Sequence, residues 1–167
     1  RPYLSDLGVT LEQMGALLGI GGFLAGLSGA LFGGWLTGRM PRAYALVLFL
    51  LFETVAMLGY SLISAGDMFT IWLAVIAEHV AGGMATAALF TVMMDRCREH
   101  SEGADYAFQS CVVIITGMVA GALSGYSATH IGYAGHFTVA AALCAAVISI
   151  VVMAQRRGLF LTLRFSH

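Results

Sequence analysis

The chain has 167 residues, a net charge of −1 and a composition that is 59% hydrophobic and only 10% charged. A soluble domain carries about 25% charged residues, so these charges are too few to cover a water-exposed surface of normal size. The slightly negative net charge also excludes the basic footprint of a nucleic-acid-binding protein.

Five stretches with almost no charge follow one another along the chain. Each is long enough to cross a bilayer, which takes about 20 apolar residues. They are apolar all round rather than along one stripe, as is typical of helices in lipid. We therefore predict an all-α membrane protein with five transmembrane helices, each antiparallel to the next because the connectors are short. The predicted spans are 14–38, 43–65, 68–94, 106–129 and 137–154.

The arginines indicate the orientation of these helices, since cytoplasmic connectors collect positive charge. Seven of the eight arginines follow the first, third or fifth span, which alternation places on one side: Arg39, Arg42, Arg96, Arg98, Arg156, Arg157 and Arg164. We expect the N-terminus outside and the C-terminus in the cytoplasm. Residues 1–13 are then expected to form an outer loop after a missing helix, 14–155 a helical bundle and 156–167 a cytoplasmic tail.

Glycines recur at three- and four-residue steps in two of the predicted spans. Small residues at this spacing let helix backbones approach closely in lipid. We interpret both stripes as helix-packing surfaces. The first span contains Gly15, Gly19, Gly22, Gly26, Gly29 and Gly33, and the fourth contains Gly117, Gly121 and Gly125.

Three ionisable residues, Glu53, Glu78 and His79, lie inside predicted spans, where a charge costs about 3 kcal/mol or more. At 1.5 Å per residue, both acids lie about 15 Å deep, near the bilayer midplane. We predict a proton or substrate site here, with Thr86 and Gln109 as weaker candidates to line a cavity. The alternative, an acid that is simply protonated and hydrogen-bonded to a neighbouring helix, stays open.

No constellation for catalysis or metal binding is apparent in the sequence. Cys97, Cys111 and Cys144 lack disulfide or metal-ligand spacing and are interpreted as small apolar residues. His130 and His136 flank a predicted outer loop and are expected to be solvated. We therefore predict no enzyme activity, no metal and no cofactor.

Three passages resemble the major facilitator superfamily of transporters. The turn at 34–42 resembles the second copy of its G-x-x-x-D-R-x-G-R signature, including Gly34, Arg39 and Arg42, although Gly38 replaces Asp and Pro41 replaces Gly. Residues 7–15 resemble the loop that enters helix eight. The order of spans and loop lengths resembles helices eight to twelve, which implies a C-terminal half whose N-terminal half is missing.

Within that superfamily, residues 94–98 and 103–110 resemble the RhtX/FptX-type siderophore permeases, which are related to muropeptide permeases. The resemblance implies that Glu78 and His79, in helix ten, face the substrate and that Glu53, in helix nine, is more remote. It also implies that inner-loop charges, among them Asp95, Arg96 and Arg98, form gating ion pairs that depend on the transport state. A solvated loop is the alternative.

The first functional hypothesis is a symporter in the bacterial inner membrane that uses protons to import a small solute, such as an iron-siderophore, by alternating access. A muropeptide or drug permease of the same superfamily is one alternative, and a membrane scaffold that transports nothing is another. The expected partners are the lipid bilayer, the missing N-terminal half, a small-molecule substrate and protons, but no nucleic acid.

Overall fold

The computed structural model describes residues 2–60 and 67–158, and the regular elements in these residues are all helices. A short helix, α1, is followed by four helices that are long and apolar enough to cross a membrane. Arg1 and residues 61–66 and 159–167, which include the predicted end of the second span and Arg164, lie outside the described residues. The helices are α1 (Pro2–Asp6), α2 (Leu11–Thr37), α3 (Arg42–Tyr60), α4 (Met68–Asp95) and α5 (Glu102–Arg156).

Helix α2 begins at Leu11, three residues before the predicted start of the first span, because Thr10 and Gln13 form a capping box. The Thr10 hydroxyl accepts a hydrogen bond from the Gln13 amide at 3.3 Å, and Gln13 Oε1 accepts one from the Thr10 amide at 2.9 Å. The predicted outer loop therefore contains α1 and the first turn of α2. Between Gly15 and Gly22 the turns of α2 widen into a π-helix, a form often found at functional sites.

Helix α5 reverses direction at Gly132, within the predicted connector between the fourth and fifth spans. Gly132 has φ 72° and ψ 170°, a left-handed conformation that glycine adopts without strain. Ser124 Oγ lies 3.1 Å from His136 Nε2, although twelve residues of straight helix would separate them by about 18 Å. The first arm, 102–131, and the second arm, 133–156, therefore fold back on each other, and each is long enough to cross a bilayer.

Helix α4 packs between α2 and α3, and α3 packs in turn against the second arm of α5. Helices α2 and α4 pack along a contact that we call the α2–α4 seam. The two backbones are so close there that an added Cβ on Gly29 would lie 2.2 Å from the Val80 carbonyl oxygen. An added Cβ on Gly83 would lie 2.2 Å from the Gly26 carbonyl oxygen. One apolar core joins α3, α4 and the second arm through Ala45, Leu46, Phe49, Met84, Ala88 and Val151.

The two ends of the bundle differ in chemistry. At the aromatic end, formed by 2–10, 60 and 130–137, Tyr3 donates a hydrogen bond to the Tyr60 carbonyl oxygen at 2.9 Å. Tyr133 donates one to Asp6 Oδ2 at 2.7 Å, and Phe137 stacks on Tyr60. The arginine end, formed by 37–44, 93–105 and 152–158, holds the described arginines. The helices alternate between these ends, as the short connectors predicted.

Candidate functional site

Glu78 and His79 lie in the middle of α4 and contact each other directly. His79 Nδ1 lies 2.7 Å from Glu78 Oε2 and 2.8 Å from the Val75 carbonyl oxygen. Because a carbonyl oxygen only accepts hydrogen bonds, the contact with Val75 places a hydrogen on Nδ1. The other ring nitrogen, Nε2, is then the atom whose protonation changes the charge of the ring.

The backbone of α2 at Gly22 packs directly against the His79 ring. A Cβ added to Gly22 would lie 2.7 Å from His79 Nε2 and Cδ2, which is closer than such atoms approach in proteins. A Cβ added to the neighbouring Gly21 would likewise lie 2.9 Å from the Trp72 ring. Both glycines lie at the end of the π-helical stretch, so this local geometry of α2 positions the backbone against two aromatic side chains of α4.

An open groove of about 630 Å³ runs between α2 and α4, and His79 and Thr86 are among the side chains that line it. The walls are otherwise apolar side chains and glycines. His79, Gly83 and Thr86 share one face of α4, as their spacing in a helix requires. The sequence-predicted candidates His79 and Thr86 therefore lie in the same groove. The remaining lining residues are Leu18, Gly19, Gly22, Phe23, Gly26, Leu27 and Ala30.

Glu53 of α3 approaches α4 on a different face from the groove. A Cβ added to Gly82 would lie 3.6 Å from Glu53 Oε2, and Glu78, four residues before Gly82, lies on the same face of α4. Glu53 Oε2 is buried and has no hydrogen-bond partner among the described residues. The structure thus brings the two acids together at the α3–α4 interface, while His79 faces α2.

Gln109 lies far from these groups. Its side-chain amide donates a hydrogen bond to the Met93 carbonyl oxygen at 3.3 Å, at the arginine end of α4. Fifteen residues of helix separate Met93 from Glu78, which corresponds to about 22 Å. Gln109 therefore ties the first arm of α5 to the end of α4 and is not brought to the groove.

The two signature arginines, Arg42 and Arg39, make different contacts at the arginine end. Arg42 Nε lies 2.8 Å from Asp95 Oδ2, and this half-buried ion pair joins the start of α3 to the end of α4. Arg42 also donates a hydrogen bond to the Thr37 carbonyl oxygen. Arg39 instead lies over the Trp35 ring, 3.8 Å from its centroid, a cation–π contact.

The signature glycines have less crowded surroundings. Gly38 caps α2 and donates a backbone hydrogen bond to the Gly34 carbonyl oxygen at 3.1 Å. An added Cβ on Gly34 would meet nothing within 4 Å among the described residues. Neither glycine therefore makes a close helix contact of the kind seen at Gly29.

Arg98 and Asp105 form a second ion pair, which closes the loop between α4 and α5. Arg98 Nη2 lies 2.8 Å from Asp105 Oδ1, and the Arg98 Nε and backbone amide each donate to Oδ2 at 2.9 Å. These hydrogen bonds from the Arg98 side chain and backbone lower the pKa of Asp105 to about 2. Arg96 caps the C-terminus of α4 with its backbone amide. Of the expected gating ion pairs, Arg98–Asp105 is local, whereas Arg42–Asp95 joins two helices.

Two side-chain contacts differ from the sequence-based expectations. His136 was predicted to be solvated but is half-buried, and its ring nitrogens lie 3.1 Å from Ser124 Oγ and 2.7 Å from Ser127 Oγ. The three-residue spacing of these serines puts both hydroxyls on one helix face and could have indicated it. His130 is exposed, as predicted, and stacks on Tyr126. The close packing of Gly22 against His79 could not be predicted from the sequence beyond the recurrence of glycines in the first span.

Comparisons with known proteins agree with this all-helical architecture. The profile of the Major Facilitator Superfamily matches residues 2–159. The chain is 28% identical over 152 residues, 89% of its length, to the anhydromuropeptide permease of Escherichia coli (strain K12). It is 23% identical over 141 residues, 83% of its length, to the putative transporter AmpG 2 of Rickettsia typhi. The chain spans 31% and 34% of these relatives. No solved structure matches.

Proposed function

Because this chain belongs to the Major Facilitator Superfamily, we propose that it forms part of a secondary transporter that imports a small solute across the bacterial inner membrane by alternating access. The chain itself is a multi-pass membrane protein, and residues 2–60 and 67–158 contain four helices long and apolar enough to cross a bilayer, the last of which is folded into two arms. Because the chain spans about a third of the relatives' length, further helices are proposed to complete the transport pathway.

We further propose that both arms of α5 cross the bilayer, so that five helices span it. The reversal at Gly132 supports this arrangement, since it returns the chain to the arginine end. The positive-inside rule then places the arginine end in the cytoplasm and the aromatic end outside. Residues 1–13 would precede the bundle on the outer side, and 156–167 would form the cytoplasmic tail.

Fragments of the cell-wall muropeptides are the substrate class that the relatives favour, because the E. coli relative is named an anhydromuropeptide permease. Import of an iron-siderophore is the second candidate, supported by the resemblance of residues 94–98 and 103–110 to siderophore permeases. The open groove beside His79 has apolar walls with few polar groups, which suits an amphiphilic solute. This lining does not distinguish a muropeptide from an iron-siderophore.

The observation that carries the proposal is the contact between Glu78 and His79, whose ring faces the groove. A carboxyl and an imidazole in contact can share a proton and pass it on. Protonation of His79 would place a positive charge in the groove, whereas loss of that proton would remove it. We propose that this exchange couples proton entry to substrate movement, with Glu53 as a second protonatable group at the α3–α4 interface.

The test is uptake by the complete transporter that contains this chain. Glu78→Gln keeps the size of the side chain but removes its charge, so energised uptake is expected to fall to background while substrate binding persists. Glu12→Gln, an exposed acid at the start of α2, is the matched control and should transport normally. Normal uptake by Glu78→Gln would refute the coupling role.

Competition distinguishes the substrate classes. An unlabelled anhydromuropeptide is expected to suppress uptake of a labelled muropeptide, whereas an iron-siderophore is not. Uptake of a labelled iron-siderophore that unlabelled siderophore suppresses and anhydromuropeptide does not would assign the siderophore class, and saturable uptake of neither labelled solute would favour a drug permease. A protein that supports no uptake of any of the three, although correctly inserted, would fit the scaffold hypothesis instead.

A further inference from the structure

A second groove, of about 400 Å³, lies at the arginine end between the start of α3 and the end of α5. It is lined by Tyr44, Val47, Val152, Gln155 and Arg156. None of these residues lines the groove beside His79, so the two are separate. The family signature and the proposed transport mechanism use neither Gln155 nor Arg156.

The lining of this groove changes from polar to apolar along the helix axes. Gln155 and Arg156 occupy the last turn of α5 and Tyr44 the first turn of α3. Val47 and Val152 lie about one turn further into the bundle. Polar groups therefore lie where lipid headgroups begin, and apolar groups lie where acyl chains begin. A ligand with a polar head and an apolar chain matches this order.

The charge of the groove favours an anion. Arg156 is exposed, no acidic residue lines the groove, and within 2–60 and 67–158 no acidic side chain forms an ion pair with Arg156. A guanidinium presents donors in a planar fork that fits phosphate oxygens. The Gln155 amide and the Tyr44 hydroxyl add neutral donors, and Tyr44 is 60% exposed and so accessible from the bilayer.

We propose that this groove binds one anionic phospholipid, with its phosphate at Arg156 and an acyl chain along Val47 and Val152. The lipid would bridge α3 and the second arm of α5 at the membrane surface. Basic pockets between transmembrane helices are suited to such headgroups, and each arginine near the surface contributes about 1 kcal/mol of attraction. The proposal does not depend on which solute is transported.

The test uses the complete transporter that contains this chain, in nanodiscs that hold equal amounts of phosphatidylglycerol and phosphatidylcholine. After release into mild detergent, native mass spectrometry counts the lipids that stay bound. Phosphatidylglycerol is expected to be retained in preference. Arg156→Ala should reduce its retention about fivefold, the factor that corresponds to the loss of one surface arginine.

Two further variants make the test specific. Arg157→Ala removes the same charge from the neighbouring residue, which does not line the groove, and should leave retention within about twofold of wild type. Val152→Trp keeps Arg156 but fills the groove and should also abolish the preference. Inorganic phosphate added as competitor should not displace the lipid, because it lacks the acyl chain.

Four results would overturn the proposal. Equal retention of both lipids would show that the groove does not select an anion. Equal losses in Arg156→Ala and Arg157→Ala would show a diffuse basic surface instead of a site. Displacement by inorganic phosphate would assign the arginine to a soluble anion. Circular dichroism of each variant checks that the helices are intact, and a folded Val152→Trp that retains the preference counts against the groove.

Discussion

The two glycine stripes look alike in the sequence but lie in opposite environments in the structure. In α2, Gly29 and Gly33 contact α4 so closely that an added Cβ would lie 2.2 Å from the Val80 carbonyl oxygen or 2.6 Å from Met84 Cα. In the first arm of α5, an added Cβ on Gly117, Gly121 or Gly125 would meet nothing within 4 Å among the described residues. The prediction that both stripes are packing surfaces is therefore met within this structure only in α2, from Gly22 to Gly33, because an added Cβ on Gly15 or Gly19 would also meet nothing within 4 Å in the described part of the chain.

The difference lies in the partner helix. Helix α4 carries its own small residue, Gly83, directly opposite Gly26, so two backbones can meet without side chains between them. No helix among the described residues offers such a surface to the first arm, whose residues 111–123 are nearly all exposed. A spacing of small residues permits close packing, but a matching neighbour is needed to realise it.

The largest expected effect comes from filling the α2–α4 seam. Gly29→Leu would force a side chain into the Val80 backbone, which cannot move aside, so the free energy of unfolding should fall by about 3 kcal/mol, the upper range for overpacking. The matched change Gly121→Leu should alter it by less than about 0.5 kcal/mol. Denaturant titration of both variants in nanodiscs measures the difference. Equal destabilisation would remove the distinction between the two stripes.

A smaller effect is expected at Gly22, where the seam meets the His79 ring. Gly22→Ala places a methyl group 2.7 Å from the imidazole, but a ring can rotate away, so the cost should be about 1 kcal/mol, the lower range for overpacking. The displaced ring should lose its contact with Glu78. NMR of the His79 ring would report this as altered imidazole chemical shifts, and Gly34→Ala, in open surroundings, serves as control. Unchanged His79 chemical shifts in Gly22→Ala would contradict the contact between Gly22 and the ring.

The all-helical class follows from composition, because lipid imposes a minimum apolar span that the sequence shows directly. Helix α4 runs from Met68 to Asp95, where 68–94 was predicted. Other ends differ more: α2 begins at Leu11, where 14 was predicted, because Thr10 and Gln13 form a capping box. That Glu78 faces Glu53 while His79 faces α2 could not be predicted, because it depends on helix rotation. Likewise, the contact of His136 with two serines depends on how tightly the chain reverses at Gly132.

The smallest expected effect concerns the ion pair between Arg98 and Asp105, in the loop that joins α4 to the first arm of α5. The pKa of Asp105 is lowered from 3.8 to about 2 by hydrogen bonds from Arg98. A lowered pKa in the folded state means that the ion pair contributes fully above about pH 4 and is lost as the pH falls through about 2.

Hydrogen exchange of the Arg98 amide, which donates to Asp105, measures this transition. The amide should be protected at pH 5 and lose protection progressively towards about pH 2. Asp105→Asn should remove this pH dependence, whereas Glu99→Gln in the same loop should keep it. Protection of the Arg98 amide, relative to its intrinsic exchange rate, that stays constant between pH 5 and about 2 in the unmodified chain would contradict the assignment.

The most direct measurement of the proposed coupling is proton flux in proteoliposomes that contain the complete transporter and a trapped pH-sensitive dye. Addition of substrate outside should acidify the lumen for the unmodified protein, because each import cycle carries a proton past Glu78 and His79. Glu78→Gln should exchange labelled for unlabelled substrate but move no protons. Acidification by Glu78→Gln at the rate of the unmodified protein would contradict the account.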